Sequence, residues 1–169
     1  MEHEAYIGIG SNLDNPLSQV KSAIQALQVD EGIVINSVSG IYQSKPLKIE
    51  GTFADVKQDD YINAVAHIST DYTADALLGV LQELEKEHKR VKEYHWGPRT
   101  LDLDILLYDE LILETDTLTI PHKELANRDF VLYPLKDINP DLIMPKHGKL
   151  QDILLNFSKD NLVFVEHYD

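Results

Sequence analysis

Arg99-Thr-Leu-Asp-Leu-Asp-Ile-Leu-Leu-Tyr108 is the stretch on which the reading turns. Along a strand, side chains alternate between the two faces of a sheet. Read as a strand over Thr100–Tyr108, the segment points Leu101, Leu103, Ile105 and Leu107 one way, into a core. Asp102 and Asp104 point the other way, side by side. Carboxylates one pleat apart repel each other unless something neutralises them. Hard divalent cations suit the pair: Mg²⁺ prefers oxygen ligands and usually takes one or two carboxylates plus phosphates and waters. Two such ions can bridge a carboxylate pair and a polyphosphate. An isolated Asp-x-Asp is more often an exposed strand face with incidental acids. Here Arg99 stands three residues ahead and the turn Trp96-Gly-Pro98 precedes it, which favours the metal reading.

Immediately upstream, Lys86, Lys89, Arg90 and Lys92 cluster at the end of a strongly periodic segment, Thr73–Val91. Leu77, Leu78, Leu81, Leu84, His88 and Val91 fall at helical spacing, with charges on the remaining face. Cations at a helix C-terminus complement the macrodipole, and Glu85–Lys89 is an i,i+4 pair, so charge alone favours a solvated helix end. Connectivity adds a functional reading. The loop Lys92–Arg99, with His95 and Trp96, joins that helix end to the aspartate strand, where it can fold over a metal-bound phosphate. Arginine binds two phosphate oxygens at once, and phosphoryl transfer needs mainly positioning and charge stabilisation.

Further out, Ala5–Gly10 reads as a strand with Ile7 and Ile9 on one face. Asn15-Pro16 reads as an N-cap followed by proline at the first helical position, with Leu17, Val20, Ile24 and Leu27 as the apolar stripe. Ile33–Tyr42 and Tyr61–Ser69 read as strands, separated by a long polar loop over Ser44–Asp60. Glu110–Leu113 and Thr117–Ile120 look like short strands, and Leu125–Tyr133 and Leu150–Phe157 like short helices. The order β-α-β, β-α-β predicts an α+β, ferredoxin-like antiparallel sheet with helices on one face. The length, 169 residues, suits a single domain over 1–169.

The absence of cysteine removes disulfides, Cys-zinc sites and thiol nucleophiles. The N-terminus lacks the pattern of a signal peptide, and no run approaches the roughly 18 apolar residues of a membrane helix. A cytoplasmic protein is expected. Net charge is −14, from 15 basic and 29 acidic residues, which argues against nucleic-acid or anionic-membrane partners. No P-loop sequence is present. Gly8-Ile-Gly10-Ser-Asn12 lacks the third glycine of a dinucleotide fingerprint and reads as a tight strand-to-helix turn. Tyr61 and Asn63 share a strand face, and Phe130 lies near Arg128. A flat heteroaromatic ligand suits such rings and an amide, although each aromatic taken singly reads as core. His122, after Ile120-Pro121, reads as a turn histidine.

Taken together, the motifs closely resemble one family, the 6-hydroxymethyl-7,8-dihydropterin pyrophosphokinases of folate synthesis. They run in family order over about residues 4 to 145: Tyr6-Ile-Gly-Ile-Gly-Ser-Asn-Leu13, Tyr42-Gln-Ser-Lys-Pro-Leu47, Asp60-Tyr-Ile-Asn-Ala64, Glu85 with Arg90, His95-Trp-Gly-Pro-Arg-Thr-Leu-Asp-Leu-Asp-Ile105, Ile120-Pro-His122 and Asn127-Arg-Asp-Phe130. The resemblance implies a three-layer ferredoxin-like fold, a monomer, and transfer of both outer phosphates of Mg-ATP to the pterin alcohol, leaving AMP. It implies that Asp102 and Asp104 are ligands of two Mg²⁺ ions and, with Arg90 and Arg99, the catalytic set. Ser44, Lys45, Leu47, Tyr61, Asn63, Trp96 and Phe130 match the pterin site. Gln82, Glu85, Arg90, Trp96, Arg99, Ile105, His122, Lys123 and Arg128 match positions that handle ATP or loop closure. The chain departs from the family in carrying Lys89-Arg90-Val91-Lys92 for a common Gly-Arg-x-Arg, His95 for an arginine, and a longer Lys48–Asp60 segment.

Two other classes share some of these features. Paired strand aspartates with Mg²⁺ also suit nucleotidyl transfer, which releases free pyrophosphate. A ligand-sensing ferredoxin-like module would bind pterin or nucleotide without consuming ATP.

Overall fold

The computed structural model describes residues 1–12, 15–44, 61–90 and 101–168, apart from the side chains of Lys89, Arg90 and Lys159. Strand β1 (His3–Ser11) leads into helix α1 (Pro16–Val29). Asn15 does precede the helix, but in a left-handed conformation (φ 54°) and without a side-chain cap. Val20, Ala23, Ile24 and Leu27 form the buried stripe of α1. The expected strand over Ile33–Tyr42 is two strands, β2 (Ile33–Val38) and β3 (Gly40–Ser44). Ser39 separates them. Its buried hydroxyl accepts the Val65 N–H at 2.8 Å and donates to the Gly40 carbonyl at 2.8 Å, a side-chain pairing where the ladder would run on.

Strand β4 (Tyr61–Thr70) is followed by helix α2 (Ala74–Arg90), then strand β5 (Leu101–Tyr108). Thr73 caps α2, its hydroxyl accepting the Ala76 N–H at 3.2 Å. Short strands β6 (Leu113–Glu114) and β7 (Thr119–Ile120) pair with each other. The helix expected over Leu125–Tyr133 is a 3-10 turn (Leu125–Asn127) and helix α3 (Asp129–Ile138), broken at Arg128, whose backbone is extended. Strands β8 (Ile143–Met144) and β9 (Gly148–Lys149), helix α4 (Leu150–Leu154), a 3-10 turn (Lys159–Asn161) and strand β10 (Leu162–His167) complete the chain.

Among the described residues six strands form one antiparallel sheet in the order β10-β3-β4-β1-β5, with β2 also paired to β4. Taking β2 and β3 as one interrupted strand, this is a ferredoxin-like order. Helices α1 and α2 pack on one face over Ile7, Ile9, Ile68, Leu101 and Leu103. Helices α3 and α4 cover part of the other face, with Val65, Leu106, Leu107 and Leu132 between. The sheet therefore has helices on both faces, the three layers that the resemblance implied; the order of elements alone had pointed to helices on one face.

The alternation of β5 holds for Leu101, Leu103 and Ile105, which join the α1/α2 core. It fails at Leu107, which lies in the opposite core. The β1–β5 register shifts between Tyr6 and Ile7: Ile7 faces Ile105 while Tyr6 faces Leu107. The extra residue, Leu106, is a β-bulge, and a bulge reverses the side on which later residues emerge. Strand β10 was not expected from the sequence. It is half exposed, with Val163 and Phe164 open to solvent, so its apolar pattern is weak. Lys21–Glu166 (2.8 Å) and Tyr168–Gln28 (3.2 Å) fasten it to α1.

Candidate active site

Register puts the site residues in rows. Asn63 of β4, Gly10 of β1 and Asp102 of β5 face one another across three adjacent strands. One pleat along, Val65, Gly8 and Asp104 do the same. Facing residues of an antiparallel sheet share a side, so two glycines separate an amide from two carboxylates. The pair is not a strand-to-helix turn, as their sequence suggested; both lie inside β1 and floor a trough. A Cβ on Gly8 would stand 3.2 Å from a Leu106 methyl, and one on Gly10 would stand 3.1 Å from Asn63 Oδ1.

The trough is a cavity of about 250 Å³ lined by Gly8, Gly10, Ser44, Tyr61, Asn63, Asp102, Asp104, Leu106, Arg128, Phe130 and Val131, among others. Helix α3 supplies its far wall. The break at Arg128 lets Arg128 and Phe130 both face the cavity, and the guanidinium lies 5.5 Å from the Phe130 ring centroid, within cation–π range. A second cavity of about 230 Å³ opens on the outer side of β5. Leu78, Leu103, Asp104, Ile105, the Thr115–Thr119 segment with Asp116, His122 and Lys123 line it. Asp104 belongs to both.

Strand β5 is an edge strand among the described residues, and two of its backbone groups bond outside the sheet. Glu85 of α2 accepts the Leu103 N–H at 3.2 Å, and the Leu106 carbonyl accepts the His122 N–H at 3.0 Å. The second bond brings His122 to the carboxylates. His122 Nδ1 accepts the Glu124 N–H at 3.1 Å, so the neutral ring carries its proton on Nε2, which faces Asp104 Oδ2 at 3.8 Å. Burial dominates both partners. It raises Asp104 above the ordinary carboxylate range, with the Asp102 charge adding to the rise and His122 and Arg128 opposing it. It lowers His122 below the ordinary histidine value, Asp104 opposing. Burial and the second carboxylate together make the ionised form of Asp104 costly unless cationic groups stand beside the pair.

The structure thus brings Ser44, Tyr61, Asn63, Asp102, Asp104, Arg128 and Phe130 to one cavity, and Asp104, Ile105, His122 and Lys123 to the other. Gln82 is exposed on α2 and lines neither. Glu85 lines neither cavity, and one of its carboxylate oxygens accepts the Leu103 N–H of β5. Lys45, Leu47, Trp96 and Arg99, and the Arg90 side chain, lie outside the described residues, as do the segments 48–60 and 92–99. Lys86 pairs with Glu83 at 3.6 Å, a solvated helix pair. Sequence reasoning missed the floor of Gly8 and Gly10 and the Thr115–Thr119 wall. A signal for the former was present: the glycines alternate with Ile7 and Ile9, so all their room falls on one face.

Comparison with known proteins decides the family. The model of the 7,8-dihydro-6-hydroxymethylpterin-pyrophosphokinase family (HPPK) matches residues 6–140. The chain belongs to that family. It is 40% identical over 159 residues to the 2-amino-4-hydroxy-6-hydroxymethyldihydropteridine pyrophosphokinase of Haemophilus influenzae, covering 94% of this chain and 96% of that one. To the enzyme of the same name from Pseudomonas aeruginosa it is 39% identical over 154 residues, covering 91% of each. Among solved structures, an HPPK-DHPS crystallised in complex with substrates superposes with a TM-score of 0.72 at 13% identity. That match covers 96% of this chain and 46% of the solved one, and carries the HPPK fold.

Proposed function

We propose that this pyrophosphokinase of folate synthesis seats its dihydropterin in the trough and Mg-ATP in the cavity beyond β5, and transfers pyrophosphate across Asp104. The observation that carries this reading is that Asp104 lines both cavities. A group shared by two pockets stands where two substrates meet. Tyr61 and Phe130 bracket the flat ring, Asn63 reads its edge, and the hydroxymethyl group lies toward the carboxylates. Lys123 and the His122 Nε2–H face the phosphates, and Arg128 offsets their charge. The pterin hydroxyl attacks the middle phosphorus, the bond from that phosphorus to the α-phosphate oxygen breaks, AMP departs, and the hydroxyl proton is released. Arg90 and Arg99 complete the charge stabilisation on this reading, with Trp96, Lys45 and Leu47 closing around the ring. On this reading the chain acts as one domain over 1–169 and as a cytoplasmic monomer. Among the described residues no helix is long and apolar enough to cross a membrane.

The donor set fits Mg²⁺. Among the described residues no group of three or more His, Cys, Asp or Glu gathers as a protein-only metal cage. Two carboxylates on a cavity wall are what Mg²⁺ takes when phosphates and waters supply the rest. Asp102 and Asp104 would hold the ions, which neutralise phosphate charge and acidify the hydroxyl when bound.

Product analysis tests the reaction. With Mg-ATP and 6-hydroxymethyl-7,8-dihydropterin, AMP and the pterin pyrophosphate are expected in equal amounts. Free pyrophosphate would favour nucleotidyl transfer, and unconsumed ATP a sensing module. The metal assignment has its own pH test. Asp104 is raised in the fold, so the metal-free protein loses stability as pH climbs from the ordinary carboxylate value through the folded one. Magnesium competes with that proton, so its stabilisation should be weak near about pH 4 and should grow as pH rises. At a hundredfold excess over Kd it should reach about 2.7 kcal/mol. A melting shift from MgCl₂ that ignores pH, or survives in Asp104→Asn, would remove Asp104 from the metal site.

A further inference from the structure

We infer that Ser44 and Gly10 fix which way the Asn63 amide faces, so that Asn63 meets the pterin as a hydrogen-bond acceptor. The inference rests on the trough being the pterin seat. Asn63 is 4% exposed and Ser44 6%. Asn63 Nδ2 donates to Ser44 Oγ at 2.7 Å and, weakly, to the Tyr61 carbonyl at 3.5 Å. That carbonyl can only accept, so an inverted amide would set two oxygens against each other. The nitrogen's side is thereby decided, with Ser44 Oγ its main partner. Oδ1 bonds to none of the described residues, and no fully enclosed side-chain nitrogen or oxygen among them lacks a partner. Oδ1 is therefore reachable from the cavity. It points over β1, where a side chain on residue 10 would crowd it at 3.1 Å. Ser44 holds one end of the amide and Gly10 leaves room for the other.

An acceptor at that point selects the ligand edge. The pyrimidine ring of a pterin carries adjacent donors, the N3–H and the exocyclic amino group, and its 4-oxo and N5 positions only accept. The held amide welcomes the donor edge and repels the acceptor edge. Ser44 is on this account a positioning residue for substrate orientation.

The test uses the full chain with saturating Mg-ATP and titrated 6-hydroxymethyl-7,8-dihydropterin. Ser44→Ala leaves a buried Nδ2–H without its main partner and should raise the pterin KM about ten-fold. The kcat and the KM for Mg-ATP should stay within about two-fold, because substrate binding and not the transition state loses the contact. Ser44→Thr, which returns the hydroxyl, should recover most of the loss. Gly10→Ala, pressing on Oδ1, should raise the pterin KM independently, and serves as the probe should Ser44→Ala fail to fold. An unchanged pterin KM in Ser44→Ala, equal effects of alanine and threonine, or equal losses for both substrates would overturn the inference. Asn63→Ala separates the levels. If it raises the pterin KM while Ser44→Ala does not, only the positioning role falls; if it too is silent, the pterin seat is misplaced.

Discussion

Replacing Asp104 by alanine is expected to lower turnover by about a thousand-fold or more while leaving the melting temperature unchanged or slightly higher. The two halves of that result have one cause. Burial and the Asp102 charge disfavour the ionised Asp104 side chain in the metal-free fold, so its removal relieves an electrostatic cost. On the proposed mechanism the same charge, held where both cavities meet, recruits the cation that offsets the transferring phosphates. A loss of several kcal/mol from the transition state is the scale seen when a preorganised electrostatic group is deleted. Single-turnover rates beside a thermal melt would check it. Near-normal turnover with Mg-ATP and pterin would refute the metal role, and a collapse of stability would make Asp104 a structural residue.

Ile7→Ala should behave in the opposite way. Ile7 is fully buried in the central strand β1, facing Ala66 and Ile105 and packed in the α1/α2 core. Its truncation should cost about 2–5 kcal/mol through lost burial and the cavity left behind. For a chain of this length each kcal/mol corresponds to roughly 2–4 °C in melting temperature, so a drop of about 10 °C is expected. Because Ile7 points away from the trough, kcat measured well below the new melting point should hold. Urea unfolding and a steady-state assay on the same preparation test both claims. A stability change under about 1 kcal/mol would mean that the site collapses around the missing atoms.

Much of this was legible from local pattern. The alternation in Leu101–Ile105 and the stripes of α1 and α2 reflect burial on one face, and burial is written directly into residue type. The paired carboxylates were equally plain, since a strand needs no tertiary information to place residues 102 and 104 on one side. Chemistry that depends on long-range register was not legible. Gly8 and Gly10 read as a turn because glycine is permissive; only pairing with β4 and β5 shows that their missing side chains open a trough. Leu107 changed sides because a single inserted residue, Leu106, shifts the ladder, and nothing local marks a bulge between leucines.

The chain by itself determined the α+β order of elements, the acidic pair and the family motifs, because each rests on spacing within one strand, helix or turn. Tertiary structure alone decided that Asp104 is common to two cavities, that α3 and α4 cover the second face, and that Ser44 reaches Asn63 from 19 residues away. Those are contacts between segments, made by hydrophobic packing and hydrogen-bond register across the sheet, and spacing within a single segment does not fix them.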